Sequence, residues 1–195
     1  MLWVVVLGFA LGALGSIPVA GPIAALVITR GIEGRTRAAA CIALGGGVVE
    51  AAYALFAFWG FSTVLVQYPL IEPASRLLAA IVLAALGVLF MRGKIQSHAS
   101  NVAPRDSAFG SFMLGASLSA VNPTQIAAWT VVVTTLYGAG LMIFDKSLAM
   151  PFAMGVLLGI SSWFFGLLWA IRRYKDRFSQ ATIDRVIRGI GVLLI

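Results

Sequence analysis

Glu50 is the one charged residue in a long apolar stretch from Ala38 to Val66. A carboxyl group about twelve residues into a helix stands ~18 Å along its axis, which in a spanning helix is near the bilayer centre. An ionised carboxylate there costs at least ~2.5 kcal/mol. It must face a wet cavity, find hydrogen-bond donors, or carry its proton. Such a group suits proton coupling or the binding of a cationic amine. The plainer alternative is a structural acid capped by hydroxyls or by backbone opened at a proline.

The second set of residues is a pair of helix breakers in corresponding places. Pro18, Gly21 and Pro22 stand in Gly15-Ser-Ile-Pro-Val-Ala-Gly-Pro22, and Asn122 and Pro123 close Gly115-Ala-Ser-Leu-Ser-Ala-Val-Asn-Pro123. Proline removes a backbone donor and obstructs the preceding turn. In hydrocarbon the freed groups must be met by protein or by a water-lined cavity. A broken helix presents two ends of opposite partial charge. The N-terminal end of a half-helix attracts a carboxylate, and unwound carbonyls attract an ammonium or a cation. An amino acid carries both groups. Asn122 and Gln125 flank the second break and can donate and accept at once. The plainer readings are a packing kink for the prolines and interhelical hydrogen bonds for the amides.

Tyr53, Trp129 and Trp163 lie well inside apolar stretches rather than at their ends. Packing is the leading reading for these aromatics, with pocket lining or gating second. Ser16, Ser117, Ser119, Ser161 and Ser162 read as packing hydroxyls. Gly8, Gly12 and Gly15 are expected on one face of the first span. Gly45–Gly47 and the series Gly155, Gly159 and Gly166 offer further close helix approaches.

These residues need membrane helices to position them. The chain has 195 residues, of which 61% are hydrophobic and 11% charged, and its mean hydropathy is +0.99. A soluble domain carries roughly 25% charged residues, and each span needs ~20 residues. The expectation is an all-α polytopic membrane protein of six transmembrane helices. Span one runs from Leu2 to Thr29, span two from Ala38 to Val66, span three from Arg76 to Met91. Span four starts near Ala108, breaks at Asn122-Pro123 and ends near Tyr137. Span five covers Ser147 to Ile171, and span six starts near Ile183. The latter reaches only Ile195, shorter than a crossing. With no basic region ahead of the first apolar run, the N-terminus reads as a retained span rather than a cleavable signal.

The charge of +7 is distributed as a membrane-orientation signal rather than a nucleic-acid patch. Of the 14 Lys and Arg residues, only Arg76 and Lys146 fall in the loops after spans two and four. The others follow spans one, three and five, so these loops are cytoplasmic and both termini lie outside. Residues 1–95 and 108–195, joined by a linker over 96–107, then form two three-helix repeats of opposite orientation within one transmembrane domain. Weak likenesses in the same order support a duplication. They include Gly47 to Tyr53 beside Gly155 to Trp163, and Arg76-Leu-Leu beside Arg185-Val-Ile.

Gly15 to Pro22, the glycines Gly31 and Gly34 in a basic loop, and the glycine cluster ahead of Glu50 resemble the N-terminal signature of the lysine exporter (LysE/RhtB) family. Phe112 to Pro123 resembles its second signature. The resemblance covers nearly the whole chain and implies a bacterial inner-membrane exporter of amino acids or related small molecules, driven by the proton gradient. It maps the family's broken first helix onto Gly21 and Pro22, its span-two acid onto Glu50, and its fourth-span motif onto Asn122 and Pro123. Ala20, Thr124 and Glu50 stand where the family more often has proline, lysine and aspartate, which points away from lysine as cargo.

The expected function is a secondary transporter exporting an amino acid or derivative by proton antiport with alternating access. Its partners are a small-molecule substrate, protons and membrane lipid. No cofactor and no nucleic acid is expected, and a homo-oligomer is left open. Export of another small solute or of a metal cation is the alternative. A metal cargo needs several ligands, and one acid, lone Cys41 and His98 in a polar loop make a poor set. The same poverty argues against an intramembrane enzyme. A non-transporting accessory subunit is the remaining alternative.

Overall fold

The computed structural model describes residues 1–17, 22–61, 107–141 and 145–174. The regular structure among them is helical: α1 (Leu2–Gly15), α2 (Pro22–Ile32), α3 (Thr36–Gly60), α4 (Ala108–Ala120), α5 (Pro123–Gly138) and α6 (Ala149–Tyr174), the last preceded by a 3-10 turn at Lys146–Leu148. Spans three and six, and nearly all of the linker between the halves, lie outside the described residues.

Both expected breaks are present, in a form more economical than a kink. Pro22 is the first residue of α2 and Pro123 the first of α5. At that position a helix has no use for the missing N–H, and the fixed φ favours the first turn. Spans one and four are therefore each two half-helices. α1 ends at Gly15 with Ser16 and Ile17 outside it and α2 opens at Pro22, while the break after α4 covers only Val121 and Asn122.

The turn from α2 to α3 is tight for a sequence reason. Gly34 adopts φ +79°, its N–H reaches the Gly31 carbonyl at 3.1 Å, and the Arg35 N–H reaches the Arg30 carbonyl at 2.8 Å. This is the left-handed glycine stop that satisfies the last carbonyls of a helix. Glu33 beside it pairs with Arg30 at 3.1 Å and lies 3.8 Å from Arg35. Near the middle of the chain, Ser107 caps α4 by accepting from the Gly110 N–H at 2.9 Å.

α3 is the central helix. Its glycines Gly45, Gly46 and Gly47 point about 100° apart, and each admits a different neighbour. A methyl group on Gly45 would strike the backbone of Phe112 on α4. On Gly46 it would stand 2.7 Å from the Ile23 side chain of α2, and on Gly47 3.4 Å from Ile160 of α6. Gly8 and Gly12 press on the backbone of α6 as expected, whereas Gly15 and Gly166 meet nothing within 4 Å.

Two helix pairs share one contact. Gly12 abuts the Val156 carbonyl and Gly159 the Phe9 carbonyl; Gly115 abuts the Ile42 carbonyl and Gly45 the Phe112 carbonyl. In both pairs the two close-packed residues on each helix are three apart. Gly8 at Phe152 and Gly12 at Val156 make α1 parallel to α6, and Gly45 at Phe112 with Tyr53 at Ala120 makes α3 parallel to α4. Gly47 at Ile160 together with Phe58 at Phe152 makes α3 antiparallel to α6. α1 thus lies along α6 and α4 along α3, and the two pairs run in opposite directions.

Large apolar side chains are displayed and small ones buried at the helix crossings. Phe109 is 73% exposed, Trp169 65% and Phe56 60%, while Gly45, Gly115 and Gly159 are buried. Segments Thr36–Gly60 and Lys146–Tyr174 are long and apolar enough to cross a bilayer, and less than half of the most apolar part of each is buried inside the protein. A water-soluble bundle hides its large apolar groups; this surface suits lipid.

Candidate functional site

Glu50 lies half-buried on α3, with its carboxyl group within hydrogen-bonding reach of the Gln125 and Trp129 side chains of α5. Those donors are four residues apart and so share one face of a helix. Gln125 is in the first turn after the break, next to the end of a half-helix that favours negative charge. The Trp129 ring is buried and stands edge-on to Phe152 at 6.0 Å. Phe152 also packs on Phe58 at 5.2 Å. This aromatic cluster joins α3, α5 and α6 and holds the indole N–H toward the acid.

Tyr53, one turn beyond Glu50, donates its hydroxyl to the Ala120 carbonyl at 2.9 Å. Ala120 ends α4, and the residue four further on belongs to α5. The carbonyl has lost its in-helix donor, and Tyr53 supplies one from the neighbouring helix. Inside the break, the Asn122 N–H reaches the Ser119 carbonyl at 3.1 Å and the Gln125 N–H reaches the Asn122 carbonyl at 3.3 Å. Asn122 is half-buried.

Among the described residues, two buried polar atoms near the breaks have no hydrogen-bond partner, Ser119 Oγ and Trp163 Nε1. Ser119 is only 1% exposed. Hydroxyls on Ser16, Thr29, Thr130, Thr134 and Thr135 all fold back on the carbonyl four residues earlier, each at 2.8 Å. Ser119 does not. Trp163 lies on α6 one turn past Gly159, which packs against Phe9 and Ala13 of α1. That register puts it toward the first break, away from the level of Glu50.

The structure therefore brings Glu50, Gln125 and Tyr53 to the second break with Asn122 and Pro123, and leaves Trp163 near the first. Pro22 is placed by the backbone of α2. Pro18 and Gly21 lie outside the described residues. Trp129, read from sequence as packing, is the residue the site adds. Its spacing of four from Gln125 was the available signal.

A lipid-suited helical bundle, broken in two corresponding helices and holding one acid against a break, has the architecture of a membrane carrier. The chain belongs to the LysE type translocator family, whose model matches residues 15–195. It is accordingly a multi-pass membrane protein and an efflux transporter of a small solute. No curated protein and no solved structure matches it.

Proposed function

We propose that the protein exports an amino acid or amino-acid derivative from the bacterial cytoplasm by proton antiport, with Glu50 as the coupling group. The observation that carries this reading is the grip of Gln125 and Trp129 on Glu50 at the start of a half-helix. A carboxylate held by two neutral donors can exchange them for a proton or for the ammonium group of a cargo. Pro18, Gly21, Pro22, Asn122 and Pro123 frame the cargo site, where half-helix ends and opened backbone offer complements to a zwitterion. Trp163 lines the approach from the first break.

Six helices in two inverted three-helix repeats supply the alternating access. The opposite directions of the α1–α6 and α3–α4 pairs support that arrangement, as does their common glycine contact. The protein sits in the inner membrane with both termini outside, in keeping with the basic loops.

The test is a cell-accumulation assay in a strain lacking the transporter, fed dipeptides and complemented with the wild type or Glu50→Gln. The wild type lowers one intracellular amino acid in a manner that depends on external pH. Unchanged export by Glu50→Gln across that pH range would remove the coupling role.

A further inference from the structure

The face of α3 that carries Glu50 also carries Tyr53, and together they hold both sides of the second break. Tyr53 holds the end of α4 through the Ala120 carbonyl at 2.9 Å. Glu50 meets the start of α5 through Gln125 and Trp129. Only Val121 and Asn122 separate the two half-helices, and Val121 is 81% exposed, so packing does little to fix the joint. The two grips also differ in kind. α4 is seated on α3 by backbone contact at Gly45 and Gly115, while at the break α5 meets α3 through side chains.

We propose that Tyr53 is a positioning residue for the Glu50 site. By fixing the last turn of α4 it sets where α5 begins, and so sets Gln125 and Trp129 against the carboxylate. It acts through the Ala120 carbonyl and does not touch cargo. No other charged side chain complicates this level among the described residues. α4 and α5 carry none, Arg30 sits in the last turn of α2 beside Glu33, and Arg172 and Arg173 sit in the last turn of α6. The role rests on Glu50 being the coupling group, and the experiment separates the two.

The test uses the full chain in membrane vesicles with Cys41→Ser as background. Ala127→Cys reports on α5 and Ser117→Cys on α4, each through its rate of reaction with a maleimide. Tyr53→Phe is expected to raise labelling at position 127 about fivefold, the size of change one hydrogen bond confers, and to leave position 117 unchanged. In inside-out vesicles given a mixture of radiolabelled amino acids, Tyr53→Phe alters the pH profile of uptake. The double variant Glu50→Gln/Tyr53→Phe is no worse than Glu50→Gln alone, as expected for residues acting on one site. Unchanged labelling at position 127, a uniformly scaled pH profile, or losses that multiply in the double variant would each overturn the proposal. Wild-type vesicles that take up none of the mixture would sink the amino-acid reading, and the labelling comparison would still decide the role of Tyr53.

Discussion

Glu50 and Tyr53 stand three residues apart on α3 and engage opposite sides of the same helix break, Glu50 through Gln125 and Trp129 and Tyr53 through the Ala120 carbonyl. In lipid, an opened backbone group without a donor costs several kcal/mol on the order of a transfer to hydrocarbon. The neighbouring helix meets part of that demand, and it places the acid beside the opening.

Trp129→Phe separates packing from hydrogen bonding. The ring contact with Phe152 at 6.0 Å survives in outline, while the donor to Glu50 is lost. Hydrogen bonds to charged groups are worth ~1.5–3 kcal/mol. The expected result is a loss of export of roughly tenfold or more with little change in thermal midpoint. A variant that melts early and exports in proportion to its folded fraction would return Trp129 to a packing role.

The breaks were legible in sequence because proline lacks a donor wherever it stands, and Glu50 because a charge among apolar residues has few reasons to be there. Which neighbour each residue meets was not legible. Gly45, Gly46 and Gly47 look alike in a row, yet they receive three different helices, because only the tertiary register assigns directions around α3. Gly15 follows Gly8 and Gly12 in helical spacing but stands at the end of α1, past the crossing, where an added methyl group would meet no described neighbour within 4 Å. The acceptor of Tyr53 is 67 residues away, beyond what local pattern can reveal. Trp129 was seen only as a large ring, since its N–H gains a role when α5 is laid on α3.

The shared glycine contact predicts equal sensitivity in both helix pairs. Gly45→Ala and Gly159→Ala each place a methyl group against a carbonyl of the facing helix, a fixed obstacle costing about 1–3 kcal/mol or more. Gly15→Ala meets open space and removes flexibility from a helix end. Thermal midpoints in detergent should fall markedly for the first two and hold for the third. A drop for one of the pair alone would break the equivalence.

Ser119→Ala should raise stability rather than lower it. Its hydroxyl is buried without a partner, a situation that costs about 1–3 kcal/mol when nothing relieves it. Alanine removes the unmet group and leaves a void smaller than a water. The expected outcome is an equal or higher thermal midpoint. A clear decrease would mean that the hydroxyl has a bound partner, such as water.

Asp145 caps the start of the 3-10 turn. Its carboxyl accepts a hydrogen bond from the Ser147 N–H at 2.7 Å, and hydrogen bonds from Ser147 hold its pKa below the usual carboxylate value, with nearby Lys146 a lesser influence. A carboxyl lowered in the folded state stabilises above its unfolded pKa and loses that contribution as pH falls through the folded value. The protection of the Ser147 amide relative to its intrinsic exchange rate should therefore fall only in strongly acidic solution, and Asp145→Asn should abolish that acid step. The same acid step in Asp145→Asn would assign it to another group.

In the proposed cycle solute leaves as a proton enters through Glu50. Purified protein in liposomes, loaded with the amino acid identified by accumulation, tests it most directly with an internal pH dye. An outward solute gradient should drive proton movement in the opposite direction in the wild type, and Glu50→Gln should abolish it while the thermal midpoint holds. Solute release without any pH change in the wild type, or undiminished proton movement in Glu50→Gln, would contradict the account.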